Sequence, residues 1–439
     1  MLDLDDLTRV LAVSREWSAA VRSMAPIHAK IDLGECESTP EMEGFCSVAS
    51  IRRIVASPLL RHIAAIQTFH PGRKEGTFWT PLNTESLALL AQHAPNLSSL
   101  SCALTLAPHA PLILPAKLRS LGLQLDGSFA DSEVNDVLTT LAALPSLSVL
   151  CLYLSGFNHE NKVELSLLAA SRSLTDFTLT TMKGNPPVLS AAQISQIGLS
   201  LGHMQRFFAG WMDSDSLARL LQPPVTAQWQ DIGHLRADER TGDLLLRLPT
   251  LSKLHLYYIS DAADVDFLSQ LPFLTDLGLH CRPMGNDEAG QNPWSVPADA
   301  VLASLQLCHG LTELYLQCGF NSAHWSALLS KLTNLKRLTI RGGQLETLQC
   351  FATGPITQSL QQLTIRDLQL PPSEVSHLYA LHRLRTLYLI YCFGSPLNAA
   401  TLARISAPTR LLPALTELRH GWRSAGKNND VHRRGRSFE

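Results

Sequence analysis

Charge is scarce in this chain of 439 residues. Lys, Arg, Asp and Glu make up only 17% of it, and the formal net charge is −2. No global field would hold such a chain on nucleic acid or on an anionic membrane. Long apolar runs are missing too, since no stretch approaches the roughly 20 apolar residues that span a bilayer. The opening MLDLDDLTRV has neither the basic start nor the apolar centre of a secretory signal. Together these absences lead us to expect a cytoplasmic protein, with the nucleus as the alternative, and no nucleic-acid or membrane partner.

Paired cysteine spacings are also lacking. The nine Cys lie at 36, 46, 102, 151, 281, 308, 318, 350 and 392, an odd count with no C-x-x-C. That argues against a disulfide framework and against the strong zinc patterns. It fits a reducing compartment in which the thiols act as small buried hydrophobes. Asn96-Leu97-Ser98 then reads as a chance sequon. No phosphate-binding glycine loop, nucleophile elbow or H-E-x-x-H occurs. His280-Cys281 and Cys308-His309 are adjacent pairs, poor geometry for sharing one tetrahedral metal, and the 16 His are spread without clustering. Asp231, His234, Asp238 and Glu239 lie close together, but at no recognised spacing. The expectation is a non-enzyme with no cofactor and no metal.

What the chain does have is a repeat. LRSLGL begins at 118, LSVLCL at 147, LTDFTL at 174, LSKLHL at 251 and LTDLGL at 274. LTELYL follows at 311, LKRLTI at 335, LQQLTI at 360, LRTLYL at 384 and a frayed LTELRH at 415. Weaker copies are IAAIQTF at 63, LSSLSC at 97 and MQRFFA at 204. The starts 311, 335, 360 and 384 are spaced by 24, 25 and 24 residues. L-x-L alternation turns Leu314 and Leu316 to one face and Glu313, Tyr315 and Gln317 to the other, the mark of a half-buried strand. Between strands the period changes. In 131–147, Val134, Val137, Leu138, Leu141 and Leu144 have helical spacing behind acidic residues, and Pro145 ends the run. Segments 84–97, 262–274, 321–335 and 373–384 repeat the pattern.

The unit is therefore strand, turn, helix, turn. One copy cannot bury its own apolar face, but stacked copies can. The pattern resembles the leucine-rich repeat family from about residue 60 to 422. The resemblance implies an α/β solenoid, or horseshoe, with parallel strands on the concave face and helices on the convex face. The family favours Asn or Cys at the ninth repeat position, where a side chain satisfies backbone groups. Cys392 fits, whereas Asp126, Ser155, Ile259, Arg282 and Gly343 depart from it. Residues 27–422 form the expected solenoid, irregular at 183–250 and at 281–297. Residues 423–439 read as a disordered polar tail, with the basic run HRRGR at 432–436.

Ahead of the repeats, Leu4, Leu7, Val10, Leu11, Trp17, Val21 and Met24 form a helical stripe behind Asp3, Asp5 and Asp6. Asp6, Leu7, Val13, Ser14, Arg15, Trp17 and Val21 resemble the second half of an F-box, over about 20 residues. A strand-like IHAKIDL at 27–33 follows. The resemblance implies an Skp1-type adaptor held by Leu7, Val10, Leu11, Val13 and Trp17. An F-box also has an earlier segment, typically opening with Leu-Pro, that these residues do not include. Two readings of 1–26 stay open: an adaptor-binding module, or a cap over the first repeat.

Repeat phase picks out the partner-binding candidates. Positions three, five and seven point away from the core and align between copies. Position five supplies His255, Gly278, Tyr315, Thr339, Thr364 and Tyr388, and position seven Tyr257, His280, Gln317, Arg341, Arg366 and Ile390. Arg337, from position three, joins Arg341 and Arg366 in a basic cluster beside Tyr315 and Tyr388, suited to an acidic or phosphorylated segment. Tyr and Arg are favoured at interfaces. The expected function is a scaffold that holds a protein target on its concave face. Two versions remain: an F-box-like substrate-recognition protein for a ubiquitin ligase, or a stand-alone binding or regulatory protein.

Overall fold

A computed structural model describes residues 27–32, 63–69, 81–105, 111–126, 129–155, 163–180, 191–201, 203–208, 211–222, 228–259, 261, 264–281, 298–343, 345–368, 370–390, 392 and 412–421. The expectations for 1–26, most of 281–297 and 423–439 lie outside them.

Two compact units divide the chain, residues 1–212 with 218–229, and 213–217 with 230–439. In the first, the strands are β1 (Ile27–Asp32), β2 (Ile63–Phe69), β3 (Pro81–Asn83), β4 (Ser99–Thr105), β5 (Ser120–Asp126), β6 (Val149–Ser155), β7 (Asp176–Thr180), β8 (Arg206–Phe208) and β9 (Trp211–Met212). β1, β2, β4, β5, β6, β7 and β8 pair in that order, all parallel, and β3 also pairs with β4. The second unit holds β10 (Asp231–Arg236), β11 (Lys253–Tyr257), β12 (Asp276–His280), β13 (Glu313–Gln317), β14 (Arg337–Arg341), β15 (Gln362–Arg366), β16 (Thr386–Ile390) and β17 (Glu417–Gly421). Each of these pairs with the next, again all parallel. Each unit is thus an α/β leucine-rich repeat solenoid, with strands on one side and helical segments on the other.

One backbone device sets the register throughout. The carbonyl at repeat position two accepts the N–H groups of positions two and three of the next copy. Ser252 O takes Thr275 and Asp276, Thr275 O takes Thr312 and Glu313, and Thr312 O takes Lys336 and Arg337. The first unit does the same, with Ser148 O accepting from Thr175 and Asp176. Where position two is Ser or Thr, its hydroxyl adds a third bond to that carbonyl, as Thr275 Oγ1 does to Ser252 O at 3.2 Å.

The repeat leucines fill the core. Leu254, Leu277, Leu338, Leu363 and Leu387 at position four are fully buried, as are Leu256, Leu279 and Leu389 at position six. In the first unit Phe207 stacks on Trp229 at 5.5 Å and meets Phe177 at 6.0 Å. The Trp229 indole N–H is not orphaned there, because it donates to Leu201 O at 3.3 Å.

The helical segments take two forms. Thr84–His93, Asp131–Ala142 and Ser322–Leu329 are α-helices, as their spacing predicts. The helix of 131–147 ends at Ala142, ahead of Pro145. Segments 262–274 and 373–384 instead form 3₁₀ helices, Asp266–Gln270 and Pro372–Ala380. A strand advances about 4.8 Å per copy, whereas an α-helix is about 10 Å across.

Residues 229–243 contain a repeat that the L-x-x-L pattern misses. Trp229 holds position one and the Gln230 carbonyl is in phase, accepting from Ser252 and Lys253. Asp231 pairs with Lys253 and His234 with His255, so two residues, Ile232 and Gly233, face the single Leu254. Gly233 has φ 76°, and its N–H donates to Asp231 Oδ1 at 3.0 Å. This is a β-bulge built on glycine.

Candidate functional site

On the second unit's open strand face the register aligns the predicted columns. His255 pairs with Gly278, Gly278 with Tyr315 and Tyr315 with Thr339, then Thr364 and Tyr388 follow. Tyr257 pairs with His280 and His280 with Gln317, while Arg341, Arg366 and Ile390 align farther along. Alternation leaves these side chains outside the leucine core. Thr364 is the exception, covered by its neighbours to 8% exposure.

Across these columns runs a row of rings. His234 lies 4.8 Å from Tyr257, Tyr257 stacks on His280 at 3.7 Å and 13°, and His280 stacks on Tyr315 at 4.4 Å and 26°. His255 joins beside His234 at 5.4 Å. The absence of a side chain at Gly278 gives the His255 ring its place, since a Cβ there would fall 2.2 Å from Nδ1. Along the sequence the histidines are spread without clustering. The fold brings His234, His255 and His280 together, because copies about 24 residues apart become neighbours about 5 Å apart.

Burial keeps these imidazoles neutral. It lowers His234 to about 4, with His255 and Lys253 adding to the effect. It lowers His280 to about 3, against the opposing bond to Gln317. His255 is lowered as well, again chiefly by burial. His280 Nδ1 lies 3.1 Å from Gln317 Oε1, an acceptor, so the neutral ring carries its proton on Nδ1 and Nε2 is left to accept. Tyr315 also donates to Gln317 Oε1, at 3.4 Å. Burial raises the Tyr257 phenol to about 12.

The basic cluster is largely compensated. Arg337 pairs with Glu313, and Arg341 Nε with Asp367 Oδ2 at 3.1 Å. Lys253 pairs with Asp276 at 3.0 Å. Tyr388 lies 5.0 Å beneath the Arg419 guanidinium, which is itself paired with Glu417 at 2.6 Å. Among the described residues no acid pairs with Arg366, and its buried Nε has no hydrogen-bond partner. Repeat phase concealed Asp367, which follows the strand at φ 55°, outside positions three, five and seven. Arg419 could have been read from position five of the frayed copy at 415.

The acidic group at 231–239 is taken up by backbone work. Asp231 holds the bulge, and Asp238 Oδ1 accepts from Arg240 N, Thr241 N and Thr241 Oγ1. His234 belongs to the ring row. Among the described residues no set of three or more metal-ligating side chains converges, and no helix is long and apolar enough to cross a membrane. Leu7, Val10, Leu11, Val13 and Trp17 lie outside the described residues.

No family model matches the chain, and no curated protein matches it. Among solved structures, the chain is similar to an internalin from Listeria monocytogenes at 17% identity and a TM-score of 0.40. That alignment covers 84% of this chain and 92% of the internalin. A second is TLR13 in complex with ssRNA13, at 13% identity and a TM-score of 0.37. It covers 83% of this chain and 57% of the TLR13 chain.

Proposed function

We propose that this protein is a binding scaffold that holds a protein target on the open strand face of its second unit. The carrying observation is the uninterrupted ring row His234–Tyr257–His280–Tyr315, which occupies outward strand positions rather than the core. Aromatic rings held by their neighbours offer large contact area with little side-chain entropy left to lose. Neutral imidazoles and paired ions add hydrogen-bonding groups without a strong field. Tyr315→Ala should therefore weaken partner binding while the chain stays folded, as read by pull-down beside a thermal melt.

The narrower reading adds a second attachment. Residues 1–26, through their likeness to part of an F-box, would hold an Skp1-type adaptor and so link the target to a ubiquitin ligase. The alternative is a stand-alone binding or regulatory protein with 1–26 as a cap. Pull-downs with and without residues 1–26 separate the two. Loss of the adaptor on deletion supports the ligase link, and an unchanged partner set removes it.

A further inference from the structure

Among the described residues Arg366 is the unmatched charge on the face formed by β13 to β17. Three carboxylates there, Glu313, Asp367 and Glu417, already hold Arg337, Arg341 and Arg419. Arg366 makes no such pair among the described residues, and its Nε is buried without an acceptor. Arg366 sits at the outward seventh position of β15, between Arg341 on β14 and Ile390 on β16. Arg341 is already engaged by Asp367 and Tyr315.

We propose that Arg366 anchors a single carboxylate of an extended acidic segment in the partner protein, an inference that rests on the scaffold reading above. A guanidinium fork suits a carboxylate, with two parallel N–H···O bonds. One surplus positive charge matches one carboxylate, whereas a phosphate would bring about −1.5 to −2. The ring row fixes the second contact. From His280 on β12 to Arg366 on β15 is three strand spacings, and from Tyr257 on β11 it is four. At about 4.8 Å each these are roughly 14 and 19 Å. An extended segment rises about 3.3 Å per residue, so an aromatic or apolar residue on the rings and the acid on Arg366 stand about 4–6 residues apart.

The test is selection of displayed random 12-residue peptides on the full chain, then anisotropy titration of the winners. Selected peptides should carry Asp or Glu about 4–6 residues from an aromatic or large apolar residue. Arg366→Gln, shown folded by its melt, should weaken them at least tenfold, and so should acid-to-amide exchange in the peptide. Arg366→Lys, which keeps the charge and loses the fork, should fall between. Winners without an acid, or winners that bind Arg366→Gln as well as the parent, overturn the anchor. If those winners still lose binding on Tyr315→Ala, the scaffold reading stands without it. Binding insensitive to both substitutions, or no enriched peptide at all, overturns both.

Discussion

His255 lies across the backbone of Gly278 on the neighbouring strand, so close that a Cβ on the glycine would fall 2.2 Å from the imidazole Nδ1. The glycine supplies room for a ring here, with no unusual backbone conformation involved. Gly278→Ala should cost about 1–3 kcal/mol by overpacking. In a His255→Ala background the same change should cost less than half as much. Urea denaturation of the four proteins measures that coupling.

Gly198 offers the contrast. A Cβ there would meet the backbone of Leu220, with the carbonyl oxygen 2.2 Å away. A side chain can swing aside, but a packed carbonyl cannot. Gly198→Ala should therefore cost more than Gly278→Ala, and no single side-chain truncation should rescue it. The urea midpoint reads this as well.

The His–Tyr row predicts an acid-sensitive fold. In the folded chain His234 and His280 titrate near 4 and 3, below the usual 6.5 or so of free histidine. As pH falls below about 6.5 the unfolded chain takes up protons that the folded chain refuses. This stability is whole above that pH and is lost as pH falls toward the folded values. At pH 5 the loss should be about 1 kcal/mol per histidine, roughly half the full linkage value because both rings keep some solvent contact. His280→Gln should flatten the fall in urea midpoint between pH 7 and 5.

Much of this face is legible in the sequence because a strand column needs only phase and period. His255, Tyr257, His280, Tyr315, Arg341 and Arg366 align as the L-x-x-L-x-L spacing predicts. Three things escape it for physical reasons. The copy at Trp229 is hidden by an aromatic in place of leucine and by the extra residue of a bulge. Asp367 compensates Arg341 from a left-handed position just past the strand, where no periodicity points. The 3₁₀ form of 266–270 and 372–380 escapes because the spacing of apolar residues does not separate a 3₁₀ turn from an α-turn over so short a segment.

Cys392 holds the ninth repeat position as the family pattern implies. Its thiol donates to Ile365 O at 2.9 Å and is fully buried. Cys392→Ala should cost about 0.5–1.5 kcal/mol by removing that second bond to a carbonyl the strand ladder already engages, and Cys392→Asn should recover part of it. Burial also raises the Cys102, Cys350 and Cys392 thiols to about 12. At pH 8 these three should resist iodoacetamide until denaturant is added, which peptide mass spectrometry will report.

Docking of partners on the open strand face of the second unit is open to experiment. Its most direct test is quantitative partner recovery by three folded forms of the full chain: the parent, Tyr257→Ala/Tyr315→Ala, and Lys331→Ala. Lys331 is exposed in the turn after the helix Ser322–Leu329, away from the strands. The double substitution should remove the parent's specific partners, and Lys331→Ala should keep them. Partners retained by the double substitution, or lost only with Lys331→Ala, would contradict it.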